Sequence, residues 1–336
     1  MLGQPWPKIK LEGLFMWKKS LLVLFLISVL LLTCPLMAME ESKVNVMVLS
    51  GTTGLSLLKM LEEKPTLEPG VTINYTVVKN PDQMAAKIIS GEADIAAVPT
   101  NLASILYNRG IPLQLAAITN WGVMYVVGQD AQISSWKELK GKAIGVTGKG
   151  STPDILFRYL LKANGLDPDR DLQIQYYPTP AELAQLAIAG KVQAATLPEP
   201  WVTEVITKNS AFKVLLDYQQ EWERLEKRKE AYPQSALVVK TQLAQEKPAF
   251  VKEFLKQASA SNAWVVNNPT TAGQLAQTHI FISAEAAREA IPRCNLRFIE
   301  ANQIIEEIEY YLNKLLSFQP QSIGGKLPDE GFYLQK

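Results

Sequence analysis

One short segment of this chain occurs twice. Gly91-Glu92-Ala93-Asp94-Ile95-Ala96-Ala97-Val98-Pro99 is echoed by Gly190-Lys191-Val192-Gln193-Ala194-Ala195-Thr196-Leu197-Pro198. Both read as a glycine closing a helix, a buried strand, and a proline opening the next helix. Roughly forty residues before each copy, a strand runs into a glycine-containing loop and a helix start. These loops are Gly51-Thr52-Thr53-Gly54 and Gly148-Lys149-Gly150-Ser151. Repeats this widely spaced exclude a solenoid and require two similar lobes.

The pattern between the repeats supplies the fold class. Short β-rich runs at 43–49, 71–78, 94–98, 112–119 and 122–128 alternate with amphipathic helices at 55–63, 81–90 and 102–109. After a turn-rich stretch at 129–135 the alternation resumes, with strands at 142–147, 172–177 and 193–197 and helices at 153–163 and 181–189. This is the signature of βαβ units, hence an α/β protein with mainly parallel sheets. A strand at 235–240 precedes a mostly helical stretch at 242–318, where Pro248, Pro269 and Pro292 mark helix starts or breaks. If 122–128 carries the chain into the second lobe and 235–240 returns it, the lobes are 39–125 plus 238–336, and 126–237. Two crossings of that kind make a hinge.

The N-terminal segment 1–38 is read separately. Lys18 and Lys19 precede an apolar run at 21–32, broken only by Ser28 and followed by Thr33-Cys34-Pro35-Leu36-Met37-Ala38. A basic n-region, a short apolar h-region and a small residue at a cleavage point form a secretory signal, and Met16 competes with Met1 as the start. Pro35 and the shortness of the apolar run oppose an uncleaved anchor. Leu31-Leu32-Thr33-Cys34 also matches a lipoprotein box in part, with Cys34 the lipidated residue, whereas cleavage after Ala38 would discard it. Either way Cys294 has no partner for an intrachain disulfide and reads as a small buried hydrophobe.

With 34 basic against 33 acidic residues and no basic patch interleaved with aromatics, nucleic acid is not an expected partner. Ligands of open parallel sheets sit beyond the carboxyl ends of the strands, at helix starts. That selects Gly51, Thr52, Thr53 and Gly54 on one side and Gly150, Ser151 and Thr152 on the other, with Ser151 or Thr152 as N-cap ahead of Pro153. Neither loop has the spacing of a P-loop. Trp121, at the first crossing, either stacks on a ligand or packs the hinge. Glu199, between Pro198 and Pro200, is either an acceptor for an amine or a helix-capping carboxylate.

Together, Gly91-Glu92-Ala93-Asp94-Ile95-Ala96, Trp121-Gly122, Leu139-Lys140-Gly141-Lys142, Gly150-Ser151-Thr152-Pro153-Asp154 and Leu197-Pro198-Glu199-Pro200 carry a family likeness. They resemble the nitrate/sulfonate/taurine-type substrate-binding proteins of ABC importers, a family that also includes binders of thiamine-pyrimidine precursors. The resemblance covers about 43–240. It implies a two-lobed periplasmic-binding-protein fold of type II and an exported monomer, periplasmic or membrane-tethered, that delivers a small molecule to a membrane permease. It also makes Thr52, Thr53, Trp121, Ser151, Thr152 and Glu199 the ligand contacts. Lys149 is the only basic residue in the two loops, so a nitrogenous heterocycle or an amine is preferred over a small anion.

Two alternatives use the same lobes: an enzyme of the thiamine-pyrimidine or menaquinone-pathway type, and a ligand-sensing receptor domain. The single histidine, His279, no metal-spaced Cys/His cluster and no Gly-x-Ser-x-Gly elbow oppose catalysis, so no catalytic residue, metal or cofactor is expected. The charged stretch 219–230 reads as a solvated helix face. The mature protein is expected to lack the apolar run 21–32. Intact mass would separate a lipid-bearing start at Cys34 from a start at Met39, and retention of the run would overturn the export signal.

Overall fold

The computed structural model describes residues 3–5 and 42–335, so the expectations on the leader, including Cys34 and Ala38, lie outside the described residues. The first strand shows why an α/β layering results. β1 (Ser42–Leu49) is buried without interruption from Val46 to Leu49, as in a sheet with helices on both faces. The chain then forms α1 (Thr52–Leu55), α2 (Leu58–Glu63), β2 (Val71–Val78), α3 (Pro81–Ile89), β3 (Ile95–Pro99), α4 (Thr100–Asn108) and β4 (Leu113–Trp121). It continues through β5 (Met124–Gly128), β6 (Ala143–Thr147), α5 (Thr152–Ala163), β7 (Gln173–Tyr177), α6 (Pro180–Ile188), β8 (Ala194–Pro198) and α7 (Trp201–Lys208). After β9 (Lys213–Asp217) and α8 (Tyr218–Glu226), β10 (Pro233–Lys240) leads into α9 (Thr241–Glu246), α10 (Pro248–Asn267), α11 (Pro269–Ile280) and α12 (Ala284–Ala290). β11 (Leu296–Glu300) and α13 (Ile305–Phe318) follow.

The strands form two sheets, ordered β11-β4-β10-β3-β1-β2 and β7-β6-β8-β5-β9. Apart from the edge strand β11, the two orders are the same. Each has a parallel trio, β2-β1-β3 or β7-β6-β8. Next to each trio lies one antiparallel strand that has just arrived from the other lobe: β10 in the first sheet, β5 in the second. The repeated segments become β3 and β8, each next to the inserted strand. The chain therefore has the expected two α/β lobes, with mainly parallel sheets flanked by helices and two crossings between them. β5 lies in the second sheet from Met124 and β10 in the first from Pro233, so the crossings fall between Trp121 and Met124 and between Glu226 and Pro233.

Three local expectations change. The helix expected at 55–63 is two short helices, broken where the Ser56 hydroxyl donates to the Thr53 carbonyl at 3.0 Å. β11 interrupts the stretch expected to be mostly helical; it pairs with β4 through a register shift, so its strand character is set by that long-range partner. The charged stretch is solvated along only part of its surface: Gln220, Glu223, Arg224 and Lys227 are exposed. α8 buries Glu221 and Trp222, and Glu226 accepts from Tyr310 Oη at 2.7 Å and pairs with Lys314 at 2.6 Å.

The crossings are tightly packed. Gly122 N donates to the Tyr232 carbonyl at 3.0 Å, joining one crossing to the other. A Cβ at Gly122 would lie 2.4 Å from Gln219 Oε1 and 2.8 Å from the Tyr232 ring. The Tyr232 ring is held by Trp222 and Tyr311, with centroids 5.7 and 6.0 Å away. Gly122→Ala is expected to lower stability by about 1–3 kcal/mol, the usual cost of overpacking, measured by urea denaturation; an unchanged midpoint would show that the hinge can yield.

Candidate functional site

The carboxyl ends of the inner strands and the helices that follow them form the facing edges of the lobes. The helices after β2 and β7 are capped by side chains: Gln83 N donates to Asn80 Oδ1 at 2.9 Å at α3, and Glu182 N to Thr179 Oγ1 at 3.2 Å at α6. α1, α4 and α5, which follow β1, β3 and β6, have no side-chain cap. Uncapped helix starts leave N–H donors for water or a bound molecule.

Each glycine loop sends one hydroxyl to the opposite lobe. Gly51 adopts φ 102°, a conformation that favours glycine. Gly54 is needed for a different reason: a Cβ there would lie 2.8 Å from the Leu49 carbonyl oxygen and 2.9 Å from Ile280 Cγ2. The Thr52 hydroxyl donates to the Glu199 carbonyl of the second lobe, and Thr53 Oγ1 shares a 2.9 Å hydrogen bond with Ser235 Oγ. From the opposite side Thr152 Oγ1 donates to Asn101 Oδ1 at 2.5 Å, with both residues buried. Ser151 occupies the N-cap position, but its hydroxyl turns back to the Thr147 carbonyl at 2.9 Å, so neither Ser151 nor Thr152 caps α5. Gly150, at φ 78°, donates its N–H to Asp154 Oδ2 at 2.8 Å.

Glu199 is fully buried. Its Oε2 accepts from Thr203 N at 3.1 Å and Thr203 Oγ1 at 2.8 Å, closing the start of α7. Its Oε1 accepts from Arg293 Nε at 2.7 Å, and Arg293 Nη2 donates to Thr203 Oγ1 at 2.5 Å. The carboxylate thus has its donors within the protein. The sequence reading missed Arg293, which lies 94 residues away; no local motif marks it. Trp121 is buried, donates Nε1–H to the Arg297 carbonyl at 3.1 Å, and has the Arg297 guanidinium 4.3 Å from its ring centroid. In this arrangement it packs the hinge. Lys149 is exposed, its Nζ 5.8 Å from the Tyr176 ring centroid.

Several buried oxygens here have no hydrogen-bond partner: Thr100 Oγ1, Asn120 Oδ1, Thr147 Oγ1 and Gln234 Oε1. They lie just after β3, near the end of β4, at the end of β6 and on β10. A buried polar atom left unpaired is costly, so such groups call for water or a ligand. Among the described residues no cluster of His, Cys, Asp and Glu could hold a metal ion, and no helix is long and apolar enough to cross a membrane. Cys294 is free and buried, and burial pushes its thiol well above the ordinary range.

The NMT1-like family model matches residues 38–280. The chain belongs to that family. The nitrate/nitrite binding protein NrtA of Synechococcus elongatus is 26% identical over 147 residues, 43% of this chain and 31% of that protein. The chain thus spans about a third of the length of that relative, and 20% of the NrtA of Nostoc sp.. An ABC transporter structure from Parabacteroides distasonis superposes with a TM-score of 0.74 at 28% identity, covering 88% of this chain and all of that one (100%). The periplasmic aliphatic sulphonate binding protein SsuA of Escherichia coli shares the fold, with a TM-score of 0.72 at 18% identity, over 88% of this chain and 92% of that one. The family likeness read from the motifs is thereby shown. Gly54→Ala in this NMT1-like chain is expected to cost about 1–3 kcal/mol, because one clashing atom is backbone; a melting temperature equal to wild type would contradict the close packing.

Proposed function

We propose that this chain is the extracytoplasmic solute-binding component of an ABC importer, holding a small molecule between its lobes and presenting the closed form to a membrane permease. One observation carries the reading. The two glycine loops reach across the cleft, Thr52 to the Glu199 carbonyl and Thr152 to Asn101, so contacts to both lobes exist together only when the lobes are shut. A ligand that adds contacts in that state shifts the balance towards it. The names of the aligned relatives, nitrate/nitrite binding protein and sulphonate binding protein, support a binder in place of a catalyst. The leader and the periplasmic description of SsuA support an exported location.

The ligand site consists of Gly51, Thr52, Thr53 and Gly54 facing Gly150, Ser151 and Thr152, with Glu199 contributing its backbone and Trp121 setting the hinge. Its chemistry is polar and electrically balanced, because Arg293 matches Glu199 and Lys149 points to Tyr176. Hydroxyls, amides and uncapped N–H groups suit a nitrogenous heterocycle or a compact anion held by N–H donors. The occupied carboxylate removes the main reason for preferring an amine.

The test is thermal melting and Trp emission with a panel of nitrate, bicarbonate, alkanesulfonates and aminopyrimidines. One class should raise the melting temperature in a concentration-dependent way. Thr152→Ala should weaken that ligand by about five-fold, the worth of one hydrogen bond near 1 kcal/mol. If the whole panel leaves melting and emission unchanged, the proposed cleft is overturned for these ligand classes.

A further inference from the structure

Outside the two loops, one short segment touches every part that closure has to move. Arg293, Asn295 and Arg297 are exposed, and between them Cys294 is buried and Leu296 half-buried against the core. Each exposed member grips a different target. Arg293 reaches the second lobe, bonding Glu199 at 2.7 Å and Thr203 at 2.5 Å. Asn295 holds the first crossing: its carbonyl accepts from Trp121 N at 3.1 Å, and its Nδ2 donates to the Gly122 carbonyl at 2.5 Å. It does so from φ 45°, a left-handed conformation that Asn tolerates better than most residues. Arg297 holds both crossings, pairing with Glu230 at 2.8 Å while its guanidinium covers the Trp121 ring. Behind it the segment is fastened to the first lobe by β11, which pairs with β4.

We propose that residues 293–297 form a strap across the hinge, in which Arg293 is a positioning residue that latches the closed form through Glu199 and Asn295 and Arg297 fix the pivot. The proposal rests on the reading of the cleft as one that closes on a ligand. Its physical basis is geometric. The donors lie on the short 3-10 turn Ile291–Arg293 just ahead of β11, and the buried acceptor opens a second-lobe helix beside the carbonyl that receives Thr52. Charge-assisted, two-point bonding by a guanidinium is directional, so it is lost when the surfaces separate.

The test needs no ligand. Small-angle X-ray scattering and amide exchange of the full chain would be compared for wild type, Arg293→Met, Glu199→Gln, the double variant and Arg293→Lys, each checked for native circular dichroism. Arg293→Met and Glu199→Gln should each enlarge the radius of gyration and speed exchange over residues 199–205 by about ten-fold, as expected when a local closing contact is lost. The double variant should add little to either, because both remove one shared contact. Arg293→Lys should retain part of the effect, and Arg297→Met should loosen 119–124 while leaving 199–205 close to wild type. Should Arg293→Met fail to fold, Glu199→Gln and Arg293→Lys read the same two quantities. Folded Arg293 and Glu199 variants with wild-type scattering and exchange would overturn the latch, whatever the ligand panel shows. Loss of the latch with no ligand found would instead count against the choice of solute.

Discussion

Each lobe depends on a strand that the other lobe hands to it. β5 leaves the first sheet through Gly122 and pairs antiparallel between β8 and β9; β10 returns and pairs between β3 and β4. The backbone donors and acceptors of these strands are satisfied only in the receiving lobe, and buried ones left unpaired would be costly. The exchange therefore places both crossings side by side, where Gly122 N bonds the Tyr232 carbonyl. It also brings the carboxyl ends of the two parallel trios to face one another. Cleft, hinge and paired loops all follow from that backbone bookkeeping.

The electrostatics of the cleft follow from a long-range pairing. A carboxylate buried as deeply as Glu199 needs a counter-charge and hydrogen bonds. Thr203 supplies two hydrogen bonds, and Arg293 supplies the charge and a third. Of the two sequence readings of Glu199, amine acceptor or capping carboxylate, the structure favours the cap, closed as an ion pair by Arg293. The proposed cleft keeps hydroxyls, amides and helix-start N–H groups for recognition. A second inter-lobe contact of the same kind joins Glu226 on α8 to Lys314 and Tyr310 on α13. The charged stretch before the second crossing thus serves the lobe contact through Glu226 while its other charges face solvent.

The repeat at Gly91 and Gly190, the alternation of strands and helices, and the two glycine loops were legible in the sequence because each is a local pattern. A buried strand, a glycine in a left-handed turn and a helix-opening proline leave their marks within ten residues. Such signals set two α/β lobes and the positions of Thr52 and Thr152. They could not reveal β11, whose pairing with β4 is a tertiary event at a sheet edge, nor the split between α1 and α2. Nor could they choose between the two readings of Trp121 and of Glu199, since both choices turn on residues distant in the chain.

By itself, then, the sequence determined the class of fold, the doubled lobe and the chemistry of the loops, all of which arise from hydrogen bonding and side-chain periodicity within a few turns of chain. Only the tertiary structure decided that Arg293 neutralises Glu199, that Arg297 covers Trp121, and that Ser151 turns away from its helix. Those outcomes depend on which surfaces the crossings bring together. Charge pairing and desolvation act through space, and no local pattern carries that information.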